Sequence, residues 1–539
     1  MIHNKMYKNL FLIIGSVIIA LIMTNVLHNE DTYNLKLEEL KHKYVFKEKP
    51  SINHSILPEL NREFKTPEEV TLACLSCHTE THKEVMASSH WNWERVSYVD
   101  GRGISSAGKK NVLNNFCLGA TSNEQSCAKC HIGYGMSDNH FDFSNASHVD
   151  CMVCHDNSEE YLKGSAMAGY PDRSVNLKKV AQSVGRPGKI NCGSCHYFGG
   201  GGNNVKHGDL EVAMNSCSRD VDVHMGANGL NMDCVACHTA PNHQMAGKLY
   251  SVSTDNINRA TCEQCHTNTP HLSNVLNRHG SKVACQTCHI PVYAKENATK
   301  MAWKWSDAGR LKDGKPFEEE DSMGNHNYMS IKGSFVWTKN VNPDYVWFNG
   351  TADQYLLGDT IQSVPVKMNT LYGSHKDRTS KIIPVKIHAG DQIYDKVYNR
   401  LVQPKLYGAN KGDSAYWQDF KWKEATEAGM KRTGLPVSGE YAFVETIMYW
   451  PVNHMVSPKK QAVGCAECHT RDNGRLAQLT DFYLPGRDQN KTLDSFGLVL
   501  FILALIGVAG HALVRITANI MKGQFEKQVI NQNEDKPEK

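Results

Sequence analysis

The chain has 539 residues, of which 40% are hydrophobic and 21% charged, and its formal net charge is +3. This near-neutral balance gives no reason to expect a nucleic-acid partner. Cysteine usage is the informative deviation, because there are 18 cysteines accompanied by 26 histidines.

Residues 1–30 are predicted to be an export segment that also anchors the chain. Lys5 and Lys8 precede the apolar run Leu10–Val26, and a basic flank followed by an apolar run is typical of an export signal. The run is long for a signal-peptide core, and His28–Asp31 lack a small-x-small cleavage pattern. An uncleaved anchor is therefore favoured over a cleaved peptide. Residues 31–60 are charged and irregular and are interpreted as a tether.

Residues 61–490 carry eight copies of Cys-x-x-Cys-His, numbered here as attachment sites 1 to 8 in chain order. This pentapeptide is typical of covalent c-type haem attachment, with the histidine as an axial ligand. A zinc or disulfide scaffold is the alternative. It does not explain why histidine, 26 of 539 residues, follows every pair.

We therefore predict eight covalent haems. The cysteines are Cys74, Cys77, Cys127, Cys130, Cys151, Cys154, Cys192, Cys195, Cys234, Cys237, Cys262, Cys265, Cys285, Cys288, Cys465 and Cys468. The histidines are His78, His131, His155, His196, His238, His266, His289 and His469.

The other histidines are enough to supply a second axial ligand at most sites. Two imidazoles on one iron favour electron transfer, tuned by burial and by hydrogen bonds around the ligands. His82 is interpreted equally well as a ligand or as a surface or core residue, and His326, His375 and His388 are weaker candidates. The sequence does not pair each histidine with its haem. The candidate ligands are His90, His148, His224, His243, His271, His279 and His454.

Two stretches around site 2 fall outside the repeated motif. Cys117 lies ten residues before Cys127 and belongs to no attachment site. A disulfide with Cys217, a buried thiol and a catalytic thiol are all open interpretations. Gly199–Gly202 lead into Lys206, His207 and Asp209. Consecutive glycines allow the backbone to approach a flat cofactor or to bend tightly, whereas the plain alternative is a flexible loop. Sites 2 and 3 are close in sequence, so we expect their haems to be neighbours.

The remaining elements predict a mainly α fold with extensive irregular structure, in which packed haems form much of the core. Thr66 and Pro67 predict a helix start before site 1. Residues 290–464 contain no attachment site and many tryptophans and tyrosines, which we expect to pack against haem edges and the core. Ile382–Lys386 is predicted to be a short edge strand despite Pro384.

The C-terminal apolar run predicts a second membrane segment, so that transmembrane helices flank the haem domain. Phe496–Ile516 is long enough to cross a bilayer, which assigns residues 491–520 to a helix and 521–539 to a tail. Arg515, Lys522 and Lys527 lie at or beyond the end of this run and predict a cytoplasmic C-terminus, and Lys5 and Lys8 place the N-terminus on the same side. His511 either reaches the interface, which we favour, or ligates a haem in a partner.

These motifs together resemble the octahaem tetrathionate reductase family. The resemblance covers roughly residues 60–480 and depends on motif order: eight attachment sites, Cys117 in Asn-Asn-Phe-Cys, and the glycine run ending in Lys-His-Gly-Asp. It implies that the site 2 haem is catalytic, that Lys206 is its distal ligand, and that Cys117 is the active-site cysteine. The implied reaction is reduction of tetrathionate to thiosulfate, and of nitrite or hydroxylamine.

The expected protein is therefore a reductase at the bacterial inner membrane, with its haem domain in the periplasm. An inner-membrane quinol dehydrogenase or a b-type cytochrome would donate electrons, and the substrate would be a small inorganic sulfur or nitrogen compound. Lys206 or His207 would favour an anionic substrate and a thiolate at Cys117, while Asp209 adds a ligand or proton donor. A hydroxylamine or hydrazine oxidoreductase and a non-catalytic electron conduit are the alternatives.

Overall fold

The computed structural model describes residues 52–247 and 257–534, together with Gly15. These residues belong to two compact units, Met1–Val463 and Gly464–Lys539. The predicted N-terminal anchor and tether lie outside the described residues, apart from Gly15 and the end of the tether.

Short helices dominate the part of the first unit that carries sites 1 to 7. Most coincide with an attachment motif, because the five residues of the motif complete a single helical turn. Pro67 occupies the first turn of α1 after Thr66 in extended conformation, which confirms the predicted helix start. The helices are α1 Pro67–Cys77, α2 Thr81–Met86, α3 Glu124–Cys127, α4 Met152–His155, α5 Leu177–Gln182, α6 Lys189–His196, α7 Cys234–Cys237, α8 Asn274–His279, α9 Cys285–His289, α10 Tyr416–Asp419 and α11 Trp422–Lys431.

The segment without attachment sites folds into a β-sheet of nine strands. Two further two-stranded sheets pair β1 with β2 and β8 with β10. The large sheet runs β4-β5-β6-β3-β11-β13-β9, and β7 and β12 also pair with β11. The strands are β1 Arg95–Val99, β2 Gly103–Ala107, β3 Thr299–Lys304, β4 Glu318–Glu320, β5 His326–Met329, β6 Gly333–Thr338, β7 Asp344–Phe348, β8 Ala352–Gln354, β9 Val366–Lys367, β10 Asn369–Leu371, β11 Lys381–Asp395, β12 Arg400–Leu401 and β13 Tyr441–Pro451.

This sheet corrects the prediction of a mainly α fold with a short edge strand. Ile382–Lys386 belongs to the 15-residue strand β11, which pairs along one side with β13 and along the other with β3 and β7. Pro384 is tolerated because it lies where the strand changes partners: it ends the pairing with β7, and the register with β13 begins at Val385. A proline lacks the amide hydrogen that a continuous ladder needs.

Aromatic side chains fill the core above this sheet. Trp303 and Trp305 are fully buried and stack with ring centres 5.0 Å apart. Trp422 stacks on Tyr416 at 3.7 Å and meets Trp305 edge to face at 5.8 Å. Phe116, from the segment that carries the lone cysteine, packs in the same cluster. The core therefore connects the sheet to the loop that precedes site 2.

The second unit holds site 8 and a long apolar helix. Site 8 forms α12, Cys465–Cys468, and α13 runs from Lys491 to Glu534. Residues Lys491–Lys527 have a mean hydropathy of 2.5 over their most apolar window, and none of that window is buried. By length and composition this helix is able to cross a membrane.

Candidate functional site

The attachment motifs present their histidines in a common way. In sites 4 and 7 the histidine completes the helix that carries both cysteines, α6 and α9. In five other sites its amide donates to the carbonyl of the first cysteine at 2.8–3.2 Å. This single turn brings both thiols and the imidazole to one side of the backbone, as covalent haem attachment needs. The five histidines are His78, His155, His238, His266 and His469.

Five attachment histidines face a second histidine across a gap that fits an iron atom. The ring centres are 6.0–6.4 Å apart. A metal–imidazole bond is about 2.0 Å, so two such bonds in line, with the depth of both rings, span roughly that distance. The residues therefore fit c-type haem with two axial imidazoles. The pairs are His196 with His90, His155 with His243, His266 with His224, His238 with His454, and His289 with His271.

Hydrogen bonds at Nδ1 orient many of these rings and leave Nε2 for the metal. Nδ1 of His155, His238 and His469 lies 2.7–2.8 Å from a backbone carbonyl. Carboxylates replace the carbonyl at His243, which contacts Glu84 at 2.8 Å, and at His454. Such partners fix the orientation of a metal-bound histidine and raise its basicity.

Two further predicted ligands have other surroundings. Nε2 of His148 lies 3.2 Å from Nδ2 of Asn145, and its ring is 5.5 Å from the ring of Phe141. Nδ1 of His279 lies 2.8 Å from the carbonyl of Val275. Both remain predictions as axial ligands.

Thiols of different motifs meet, and these contacts show which sites are neighbours. Cys74 contacts Cys151, Cys130 contacts Cys195, and Cys262 contacts Cys285. Cys192 contacts Cys234. Sites 1 and 3, sites 2, 4 and 5, and sites 6 and 7 therefore lie side by side, so attached haems would be close enough for electrons to move between them.

Site 2 departs from the common geometry. Its helix ends at Cys127, a 3-10 turn covers Ala128–Cys130, and His131 continues in extended conformation. The amide of His131 donates to Ala128 rather than to Cys127, and its Nε2 lies 2.9 Å from the carbonyl of Trp91. Burial lowers the pKa of His131 to about 3, so the imidazole is neutral. Binding iron through Nε2 requires that it leave the Trp91 carbonyl.

A buried ion pair connects site 2 to site 3. Nζ of Lys163 lies 3.1 Å from the carboxylate of Asp150, and both side chains are almost fully buried. The same Nζ donates to the carbonyl of His131. Asp150 also accepts hydrogen bonds from Tyr134 and Tyr161 at 2.8 and 2.7 Å. The expected proximity of sites 2 and 3 therefore has a structural basis that sequence reasoning missed, since Lys163 stands outside any motif.

Lys206 is a buried lysine that interacts electrostatically with Cys130 of site 2. Burial lowers the pKa of its amino group to about 7; Lys109 lowers it further, and Cys130 opposes the shift. Its Nζ stands 4.8 Å from the ring centre of Trp450. Gly199 is needed here, because a Cβ at that position would lie 2.9 Å from Cδ of Lys206. The glycine run therefore makes room for the lysine side chain.

Lys386, a strand residue, holds the backbone on either side of this lysine. Its Nζ contacts the carbonyls of Val205 and Lys206 at 2.8 and 3.2 Å and Oγ1 of Thr299 at 2.7 Å. Lys386 is fully buried, and burial lowers its pKa well below the usual value. Sequence analysis gave no sign of this contact, because 180 residues separate the two lysines.

His207 and Asp209 are both buried, but they face different partners. The ring of His207 meets Trp450 edge to face at 5.1 Å, and burial, followed by the charge of Lys206, lowers the pKa of His207. Asp209 accepts hydrogen bonds from the amides of Asn453 and His454 at 2.7 and 2.9 Å, and its Oδ2 lies 3.2 Å from Nδ1 of His454. Asp209 thus positions the histidine that faces His238, and it joins the Lys206 segment to site 5.

Cys117 lies in a tight loop anchored to the sheet. The amide of Asn114 donates to the carbonyl of Leu118 at 2.8 Å, and Leu118 takes a positive φ of 73°. Trp305 donates its indole N–H to the Phe116 carbonyl at 2.7 Å. The thiol of Cys117 raises the pKa of Cys127, and Cys130 acts on the pKa of Lys206, so both groups interact electrostatically with cysteines of site 2.

The disulfide alternative for Cys117 does not hold in the structure. Cys117 and Cys217 are both free thiols. They pack against different core clusters, one around Trp303 and the other around Tyr197 and Tyr293. Burial raises the pKa of the Cys117 thiol, and Lys332 and Lys300 oppose that shift.

Comparisons with known proteins agree with this arrangement. A model of the bacterial cytochrome c family matches residues 300–472. The crystal structure of an octahaem cytochrome c from Shewanella oneidensis is 44% identical, with a TM-score of 0.72, and the match covers 78% of this chain and 94% of that one. An uncharacterised protein of Archaeoglobus fulgidus is 20% identical over 229 residues, covering 33% of this chain and 76% of that protein.

Proposed function

Because the chain belongs to the octahaem c-type cytochromes of the tetrathionate reductase family, we propose that it is a membrane-anchored, periplasm-facing reductase with eight covalent haems. Its substrate is tetrathionate, and nitrite and hydroxylamine are further substrates. Reduction takes place at site 2, with Lys206 as the second axial ligand and Cys117 beside it. One observation carries the proposal: the two buried functional groups outside the repeated motif, Lys206 and Cys117, each interact electrostatically with a cysteine of site 2.

The burial of Lys206 suits a ligand that can be displaced. An amine binds metal only when it is neutral, and an ordinary lysine with a pKa of about 10.4 is protonated near neutral pH. Burial disfavours the ammonium form, and a pKa of about 7 leaves a large neutral fraction of Lys206. Protons still compete for this amine more effectively than for His131, whose pKa is about 3. Lys206 is therefore the weaker of the two ligands at this site.

The haems supply electron transfer when they are bound, and the protein residues supply the sulfur chemistry. Cys117 attacks the sulfur chain of tetrathionate by thiol exchange, which requires the thiolate. Lys206, which is partly protonated near neutral pH, and the nearby Lys109 carry positive charge into the site, and this charge favours an anionic substrate. Electrons enter from an inner-membrane quinol dehydrogenase or a b-type cytochrome and reach site 2 through sites 4 and 5, whose cysteines are in contact.

The helix α13 supports the membrane part of the proposal. The most apolar part of this helix is fully exposed. An exposed apolar surface of that size favours aggregation in water or contact with a membrane or a partner. We assign α13 to the inner membrane, with the haem domain on the periplasmic side and both termini in the cytoplasm.

The test is a Cys117→Ala variant of the purified holoprotein. The variant should retain all eight haems and its reduction of hydroxylamine, and lose reduction of tetrathionate. Full tetrathionate activity in this variant would rule out the thiol mechanism. Reoxidation of the reduced wild-type protein by each substrate, followed by absorbance, then separates a reductase from a conduit, which would respond to none of them.

A further inference from the structure

Lys300 is a buried lysine whose amino group contacts aromatic rings and no acid. It lies in β3 and only 5% of its surface is exposed. Its Nζ is 3.4 Å from the ring centre of Phe335, 4.1 Å from that of Trp303 and 4.9 Å from that of Trp337. Among the described residues, no carboxylate or hydrogen-bond acceptor contacts this Nζ. A buried charge without a partner is costly, so the ammonium form is favourable only when an anion stands beside it.

The lone thiol shares this aromatic cage. Trp305 stacks on Trp303 and holds the carbonyl of Phe116, the residue before Cys117. Cys117 packs against the same aromatic cluster, and the charges of Lys332 and Lys300 act on its thiol. Lys300 in turn interacts electrostatically with Lys332, Cys117, Lys386 and His388, of which Cys117 is the group that can become an anion. The thiol is therefore the group that can become an anion beside the unpaired amine.

We propose that Lys300 takes the proton of the Cys117 thiol and then stands as the counter-charge of the thiolate during cleavage of a sulfur-chain dianion. This assignment rests on the proposed function of site 2 and deepens it, because it names the residue that activates the thiol. It also limits the thiol chemistry to substrates with a reducible S–S bond.

The two states of this pair differ by the position of one proton. Burial raises the pKa of Cys117, so the thiol keeps its proton unless a base is present. Burial likewise lowers the pKa of Lys300 well below the usual value, so a neutral amine is available as that base. After transfer, the thiolate and the ammonium neutralise each other in an apolar site, where their attraction is strong.

The reaction balances in two steps. The thiolate attacks one of the two central sulfurs of tetrathionate: a bond forms between that sulfur and Sγ of Cys117, the central S–S bond breaks, and one thiosulfate dianion leaves with the electron pair. The enzyme retains a thiosulfate group in disulfide linkage to Cys117, Cβ–Sγ–S–SO₃⁻, and the proton remains on Lys300. Two electrons, which bound haems would deliver from the external donor, would then cleave the new bond between Sγ and the attached sulfur and release the second thiosulfate. Cys117 returns as the thiolate.

The test measures alkylation of Cys117 by iodoacetamide in the purified holoprotein. Thioether bonds protect the sixteen motif cysteines, and mass spectrometry separates the Cys117 peptide from that of Cys217. Lys300→Met removes the charge and keeps a long apolar side chain. Lys300→Arg keeps a permanent positive charge. Lys304→Met changes an exposed lysine of the same strand and serves as the matched control.

We expect the Lys300→Met variant to be alkylated about tenfold or more slowly near neutral pH, since one pKa unit changes the thiolate fraction about tenfold. Lys300→Arg cannot take the proton, which then passes to solvent, but it keeps the counter-charge that sets the thiolate fraction at equilibrium, so its alkylation rate should stay close to that of the wild type. Lys304→Met should also match the wild type. Wild-type reactivity in Lys300→Met overturns the proposal. Equal loss in Lys300→Met and Lys300→Arg also overturns it, because packing of the cage, not charge, would then be the cause.

Activity measurements separate this inference from the proposed function. If Lys300→Met loses tetrathionate reduction and keeps hydroxylamine reduction, the residue acts through the thiol. If wild-type protein reduces no tetrathionate, the proposed substrate is wrong. The alkylation rates still decide whether Lys300 activates Cys117.

Discussion

Nζ of Lys386 contacts the carbonyl oxygen of Lys206 at 3.2 Å. A buried strand lysine thus fixes the backbone of the lysine that is proposed to bind iron. The same Nζ reaches Val205 and Thr299, so one amino group joins two consecutive carbonyls of the Lys206 segment to strand β3. The position of Lys206 is therefore set by the sheet rather than by its own glycine-rich loop.

The first prediction is that Lys386→Met weakens ligation at site 2 and destabilises the protein. Each buried polar group that loses its partner costs about 1–3 kcal/mol, so the two carbonyls give a loss of the order of 2 kcal/mol or more. Urea unfolding measures the stability, and electron paramagnetic resonance of the oxidised protein should gain a high-spin signal. Lys367→Met, at an exposed lysine of β9, is the control. An unchanged spectrum together with unchanged stability would contradict the prediction.

Attachment chemistry was predictable from sequence because it is complete within five residues. The helix start at Thr66–Pro67 was predictable for the same reason, since the signal lies in adjacent residues. The pairing of each attachment histidine with a second histidine was not predictable from the sequence. The two members of a pair come from distant segments, as with His238 and His454.

The sheet escaped prediction because β11 breaks the usual alternation of apolar and polar residues. Lys386, His388 and Gln392 point to its buried side and are fully buried, whereas a half-buried strand is expected to bury apolar residues. Pro384 near its start argued against a central strand. The position of the strand also depends on contacts between residues far apart in the chain, such as that of Lys386 with Lys206 across 180 residues, which no local sequence pattern predicts.

The second prediction concerns haem content. Pyridine haemochrome analysis of fully matured protein should give eight covalent haems per chain, since each pentapeptide provides two thiols and an axial histidine. Site 2 tests this prediction most strictly, because the backbone of its histidine, His131, is extended and the imidazole is hydrogen-bonded to the Trp91 carbonyl. A count of seven or fewer would show that at least one motif is not an attachment site.

The third prediction is that Asp209→Asn raises the reduction potential of the haem attached at site 5. Oδ2 of Asp209 contacts Nδ1 of His454, and a carboxylate at this position makes an imidazole ligand more electron-rich, which favours the oxidised iron. The neutral amide removes that effect. Spectroelectrochemical titration should show one component shifted to higher potential. The exposed Asp220→Asn variant is the control, and identical titrations of Asp209→Asn and the wild type would contradict the role assigned to Asp209.

The fourth prediction concerns topology. A reporter that works only in the cytoplasm should be active when fused after Lys522, because Arg515 and Lys522 hold that end of α13 inside. A chain ending at residue 490 should, in the same experiment, leave the membrane fraction once the N-terminal segment is replaced by a cleavable signal. Activity of an export-dependent reporter after Lys522 would mean that the helix runs in the opposite direction.

The last prediction is that Lys206, not His207, is the second ligand at site 2, and that acid removes it. Lys206→Ala should convert one low-spin haem to a high-spin or water-bound form, because Lys206 interacts with Cys130 of site 2. His207→Ala should leave the spectrum unchanged, because His207 interacts instead with Asp209 and with His196 of site 4. Burial lowers the pKa of the free Lys206 amine to about 7. Iron competes with the proton and stabilises the neutral amine further, so ligation holds above pH 7 and is lost at a midpoint below that value.

Electron paramagnetic resonance across that pH range measures the transition. One high-spin haem should appear on acidification of the wild type and disappear when the pH returns to neutral. Lys206→Ala should show the high-spin signal at every pH. If His207→Ala changes the spectrum and Lys206→Ala does not, the ligand at site 2 is an imidazole: the acid transition would then have no amine to protonate, and site 2 would be a further bis-histidine haem.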